Sequence, residues 1–216
     1  MKAEEIIERI GRLDEEIAEQ RDLFAQRPAG ESAAALGSLF AAALSGTGPD
    51  DPAPLELVRA VDLAQLLPER AALLIAPCLE HESPEVRQLA LGALAPLSEG
   101  GLDRLRPAID WTLERGGEAA EEMIFLLSFL EGVDVTAQIE RFLTVADPEM
   151  VVTAIEALAD LGDERSLDPL RGLLDDERKI ETDDGEPGPA GAESWTVGLI
   201  AAEAIEMIES DLELEV

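Results

Sequence analysis

Tyrosine is absent from the 216-residue chain, cysteine and histidine occur once each, as Cys78 and His81, and aromatic residues make up only 3%. A single cysteine excludes an internal disulfide framework and a cysteine-rich zinc site. It lies in LLIAPCL (73–79), an apolar run that predicts a buried structural thiol. His81 sits in EHESP, with no nucleophile placed beside it by a recognisable motif, and no Gly-rich phosphate loop is present. Carboxylates are too abundant for any pair of them to single out a glycosidase-type dyad. No enzyme activity and no cofactor or metal is expected.

Positive charge is also scarce. Sixteen Lys and Arg face 48 Asp and Glu, a formal net charge of −32. Direct binding to nucleic acid or to an anionic membrane would work against that field, whereas a basic protein partner suits it. No run approaches the ~18 apolar residues of a membrane helix. The opening MKAEEIIERIGRLDEE alternates charge with isoleucine and is not a signal peptide, so a cytoplasmic protein is expected.

What is present is Leu, Ala and Ile, within an apolar content of 46%. Ala and unbranched side chains lose least on entering a helix, so the class is all-α. The length suits one domain spanning 1–216. Four segments align without gaps: ALGALAPL from 90, MIFLLSFL from 123, AIEALADL from 154 and AAEAIEMI from 201, spaced by 33, 31 and 47 residues. The first, second, fifth and eighth positions are apolar in each, one face of a helix. A second helix is expected after each of the first three, in GLDRLRPAIDWTLER, VTAQIERFL and SLDPLRGLLDD, with Gly162 ending one helix and Ser166 capping the next. Helices this short are marginal alone, so each hairpin must pack on its neighbours. The longer third spacing holds an acidic insertion, 175–194, rich in Pro and Gly. Upstream, 31–80 reads as more divergent hairpins, with SGTGPDDPAP (45–54) as a turn-rich linker.

SPEVRQLALGALAPL and DPEMVVTAIEALADLGDERSLDPLRGLLDD resemble HEAT repeats of the short bacterial type also found in phycobilin-lyase proteins. The resemblance covers roughly 83–208 and rests on Pro84-Glu85-Val86-Arg87, the Ala/Leu octets, Gly162-Asp163 and the Leu-rich second helix. It implies a right-handed α-solenoid that binds macromolecules along a groove. Only Arg87 holds the arginine position this family often carries in successive repeats, the aligned residues being Ala120, Val151 and Gly198. Cohesion between repeats is therefore expected to be mainly apolar.

Four features are candidates for interaction. Ala3, Ile6, Ile10, Leu13, Ile17, Gln20 and Phe24 follow a heptad rhythm, so 1–26 is either a homodimerising coiled coil through 3–24 or a capping helix, for which Ile7 and Leu23 widen the stripe. The insertion carries Asp175, Asp176, Glu177, Glu181, Asp183, Asp184 and Glu186, followed by Trp195. It fails as a calcium loop, because a sixth-position Gly185 would put Ile180 first. It reads as a docking loop for a Lys/Arg-rich segment or as a solvated charge run. Trp111 is either packing or an interface anchor. Residues 209–216 form an acidic tail, expected as a frayed helix end. The function expected is a non-enzymatic scaffold or adaptor for a basic protein. The alternatives are a nucleic-acid mimic that inhibits a DNA-binding protein and a chromophore or cofactor lyase of the HEAT-repeat type.

Overall fold

The computed structural model describes residues 3–180 and 195–214. Among them are eleven α-helices and no strand beyond one isolated antiparallel bridge, Lys179 to Thr196. The helices are α1 (Ala3–Ala25), α2 (Ala29–Ser45), α3 (Leu55–Ala64), α4 (Pro68–Ile75), α5 (Pro84–Leu94), α6 (Arg106–Arg115), α7 (Gly117–Ser128), α8 (Thr136–Ile139), α9 (Pro148–Leu161), α10 (Leu167–Arg171) and α11 (Val197–Leu214). Tighter 3-10 turns extend α4 to Glu80, α5 to Ser98 and α8 to Thr144, and one at Glu164–Ser166 leads into α10. The all-α class is what the composition predicts.

The four aligned octets begin in α5, α7, α9 and α11, and these pack in that order, α5 on α7, α7 on α9 and α9 on α11. The shorter second elements lie beside them: α4 contacts α6, the 140–144 turn contacts α9, and α10 contacts α11. A single apolar cluster runs from Ala33 to Ile208.

Helix α9 shows how the sequence sets one unit. Pro148 occupies the first turn, where a missing N–H costs nothing, and the Asp147 carboxylate accepts the Glu149 N–H at 3.0 Å. Gly162 ends the helix at φ +63°, a left-handed cap that a side chain would strain. Ala154, Ile155 and Leu158 are fully buried between α7 and α11. Each large apolar side chain buried this way contributes about 1.5–3 kcal/mol, which the helix lacks in isolation.

The buried face differs in detail from the predicted one. The first, fourth and fifth octet positions are buried in all four helices, whereas the eighth is exposed at Leu161. The second helices are shorter than predicted: α10 stops at Arg171, the Gly172 N–H makes a closing helical bond to the Asp168 carbonyl at 3.2 Å, and Leu174 is exposed. Ser166 does not cap it. The 3-10 turn starts the helical path earlier, so Asp163 takes that part by accepting the Arg165 N–H at 2.9 Å, and the Ser166 hydroxyl is buried without a partner. Farther along, the acidic stretch expected as a tail from 209 is helical to Leu214.

The 45–54 linker is laced to the next turn. Ser83 Oγ donates to the Asp51 carbonyl at 3.0 Å and the Ala53 N–H donates to Glu85 at 3.3 Å. His81 completes this junction: Nδ1 accepts the Ser83 N–H at 3.0 Å, which leaves the proton on Nε2, 3.3 Å from the Leu44 carbonyl. Helix α1 meets the body near its own C-terminal end, where Arg21 pairs with Asp62 and Phe24 packs on the core. Leu13, Ile17 and Leu23 stay about half exposed, so α1 covers α3 only in part.

Candidate interaction surface

The chain contributes three surfaces that could receive a partner: the base of the acidic insertion, the outward face of the first helices, and α1. Asp183, Asp184 and Glu186, with Glu181, lie outside the described residues. The two ends of the insertion meet, since the Ile180 N–H donates to the Trp195 carbonyl at 3.2 Å and the Val197 N–H to the Arg178 carbonyl at 3.0 Å. Trp195 is half-buried at this junction, while Asp175 and Glu177 are exposed.

Asp176 has an internal role. Arg178 Nη2 donates to it at 2.6 Å and Nε at 3.0 Å, while Nη1 reaches the Val145 and Ala146 carbonyls at 3.0 and 3.1 Å. The guanidinium holds the Asp176 carboxyl below the usual range. This carboxylate therefore fastens the 145–147 turn ahead of α9. Gly198 lies against the 173–176 turn: its N–H donates to the Asp176 carbonyl at 3.0 Å, and a Cβ there would stand 2.5 Å from the Leu174 carbonyl oxygen.

Arginines add ion pairs between elements far apart in sequence to the apolar cluster that joins them. Arg115 reaches Glu80 at 3.2 Å, Arg141 reaches Asp110 at 2.6 Å, and Arg171 reaches Glu209 at 2.7 Å. Arg165 grips Asp134 through parallel bonds of 2.7 and 2.9 Å and also pairs with Asp163. Its hydrogen bonds lower Asp163 to about 2, with Thr136 Oγ1 donating to the same carboxylate. Arg87 is the most enclosed of these cations, at 15% side-chain exposure. It contacts Glu122 at 2.7 Å, Glu118 at 2.9 Å and the His81 carbonyl at 2.8 Å. Arg87 lies in α5, whereas the other bridging arginines sit on the shorter second elements and turns. The signal was readable, since Asp110 and Arg141, like Asp134 and Arg165, are 31 residues apart, the interval between the second and third octets.

On the first helices, the third and seventh octet positions face outward. In α7 and at its C-terminal cap these are Phe125 and Phe129, 53% and 68% exposed, with ring centroids 4.6 Å apart. A groove of about 360 Å³ between α5 and α7 is lined by Leu91, Glu118, Glu121 and Phe125, with the paired Arg87 and Glu122 also in its wall. The equivalent pair on α9 is Glu156 and Asp160, both exposed. Partial burial, then repulsion from Asp160, raises the Glu156 carboxyl above its ordinary value.

Cys78 and Trp111 both pack inward. Cys78 is fully buried, its thiol pushed up to about 12 by desolvation. Trp111 packs on the core with Arg115 5.2 Å over its ring. No group of three His, Cys, Asp or Glu side chains converges as a metal site among the described residues, and no helix there is long and apolar enough to cross a membrane. Comparisons of the chain with protein-family models, with curated proteins and with solved structures return no match.

Proposed function

We propose that this chain is a non-enzymatic scaffold, an α-solenoid of HEAT-like hairpins whose acidic surface docks a basic protein partner. Three observations support the repeat reading: first helices that contact each other in chain order, glycines of positive φ after α7 and α9 at 132 and 162, and ion pairs that join one hairpin to the next. The observation that carries the functional reading is the disposition of charge. Arg21, Arg27, Arg87, Arg106, Arg115, Arg141, Arg165, Arg171 and Arg178 are all held by carboxylates of the same chain. With so much of its positive charge neutralised internally, a chain of −32 presents an acidic surface, which speeds encounter with a basic partner and repels acidic ones.

The test is capture from the native cell at low ionic strength, followed by a salt gradient. Retained proteins should be basic and should elute as the Debye length shortens below about 8 Å. Retention of acidic proteins, or binding insensitive to salt, would refute the reading. Displacement of the partner by duplex DNA would instead favour a nucleic-acid mimic.

A second contact is favoured by α1. Leu13 and Ile17 remain half exposed beside an open apolar groove shared with Phe24 and Leu63. A second copy of α1 would cover this stripe as a coiled-coil partner. Sedimentation equilibrium should show a dimer that Leu13→Asp with Ile17→Asp converts to a monomer of unchanged helicity; a wild-type monomer at micromolar concentration would end this second reading.

A further inference from the structure

The octet register brings one outward row into line across the packed first helices. Its third and seventh positions are Gly92 and Pro96 on α5, Phe125 and Phe129 on α7, Glu156 and Asp160 on α9, and Glu203 and Met207 on α11. All eight are exposed. A chain with five phenylalanines leaves two of them side by side in solvent, although buried positions on the same helix hold Met123, Ile124 and Leu127. Exposed aromatic pairs of this kind are typical of interface anchors, because a large rigid side chain loses little entropy when a partner covers it. The groove between α5 and α7 opens directly onto Phe125 and has Glu121 on its rim. One helix farther on, Glu156 and Asp160 are like charges one turn apart, and neither is held in an ion pair among the described residues. Such a spacing weakens a helix. The Glu156 carboxyl is raised by desolvation and then by Asp160, and a cation placed beside the two would offset their repulsion.

We propose that this face docks a Lys/Arg-rich segment carrying a bulky apolar side chain, which seats against Leu91, Phe125 and Phe129 while its cations meet Glu121, Glu156 and Asp160. The occupant follows from charge. A second copy of the same face would set carboxylates against Glu156 and Asp160, whereas a basic amphipathic segment satisfies both halves of the row at once. The proposal rests on the basic-partner reading above and moves its centre from the insertion to the α5–α7–α9 face.

The experiment uses the full chain and a fluorescein-labelled amphipathic peptide of leucine and lysine as the probe, read by anisotropy. Phe125→Ala with Phe129→Ala should weaken binding at least about tenfold. Glu156→Gln with Asp160→Asn should weaken it and flatten its salt dependence. Deletion of 181–194 should leave it unchanged. All substituted side chains are exposed, and the melting temperature of each variant checks that the fold survives. Wild-type affinity in both double variants overturns the proposal. If deletion of 181–194 then abolishes binding, the basic-partner reading stands with its site at the insertion. A wild-type chain that ignores the peptide also overturns the proposal, and the salt-eluted capture then decides the broader reading by itself.

Discussion

Replacing Gly198 with alanine should loosen the C-terminal end of the array. Gly198 is the second residue of α11, and its added Cβ would lie 2.5 Å from the Leu174 carbonyl oxygen and 3.1 Å from those of Leu173 and Asp176. All three neighbours are backbone atoms in a turn that also accepts the Gly198 N–H at 3.0 Å. Relief requires the helix to lift off that turn. Overpacking of this kind costs about 1–3 kcal/mol, and weakening the hydrogen bond adds about 1 kcal/mol. Alanine's better helix propensity returns at most about 1 kcal/mol. The net expectation is a loss of about 2 kcal/mol, or roughly 4–8 °C in Tm for a chain of this size. Gly92, inside α5 with nothing within 4 Å of its would-be Cβ, supplies the opposite case. Gly92→Ala should raise stability by about 0.5–1 kcal/mol. Urea unfolding followed by far-UV circular dichroism measures both. A Gly198→Ala variant as stable as wild type, or stabilised like Gly92→Ala, would show that α11 does not rest against the 173–176 turn.

Asp163, held at about 2 by Arg165, favours the fold above the ordinary carboxylate range, and that contribution is lost as pH falls from about 4 toward 2; Asp163→Asn should lower the urea midpoint at neutral pH and flatten its decline in acid. Glu156 has the opposite sign: its raised carboxyl is unfavourable when ionised, so Glu156→Gln should raise the neutral-pH midpoint and the gain should vanish once the wild-type residue protonates. Arg87→Met should cost about 2 kcal/mol, because it leaves Glu122, Glu118 and the His81 carbonyl without their shared donor; a neutral result in urea unfolding would mean that α5 and α7 are joined by apolar contact alone.

The first helices were legible because their apolar spacing is strict. Ala90, Met123, Ala154 and Ala201 open the four octets, and every one of them is fully buried. Gly162 was legible as a stop because only the left-handed cap suits it there. The second helices were harder. SLDPLRGLLDD has a continuous leucine pattern, but α10 stops at Arg171 and Leu174 lies outside. Ser166 satisfied a capping pattern in sequence, yet Asp163, three residues earlier, offers a stronger acceptor and already holds the turn. Apolar periodicity could not reveal the arginine bridges, since it reads neighbours along one helix, and Arg141 and Arg165 reach carboxylates on other elements, 31 residues earlier. Phe125 and Phe129 were hidden because MIFLLSFL is apolar at every position but one, so composition does not separate them from its buried residues; burial of positions one, four and five leaves them outward. Asp176 shows the reverse, an acid grouped by composition with the insertion and claimed by Arg178.

The stacked-hairpin arrangement is tested most directly by distances between spin labels on the first helices. Cysteines placed at Gly92, Glu156 and Glu203 would take a nitroxide selectively, because the native Cys78 is buried and its thiol is raised to about 12. With about 8–10 Å between packed helix axes, pulsed electron resonance should give about 20 Å for the 92–156 pair and about 30 Å for 92–203. A 92–203 distance no longer than that of 92–156 would mean that α11 folds back toward α5, which would contradict the array.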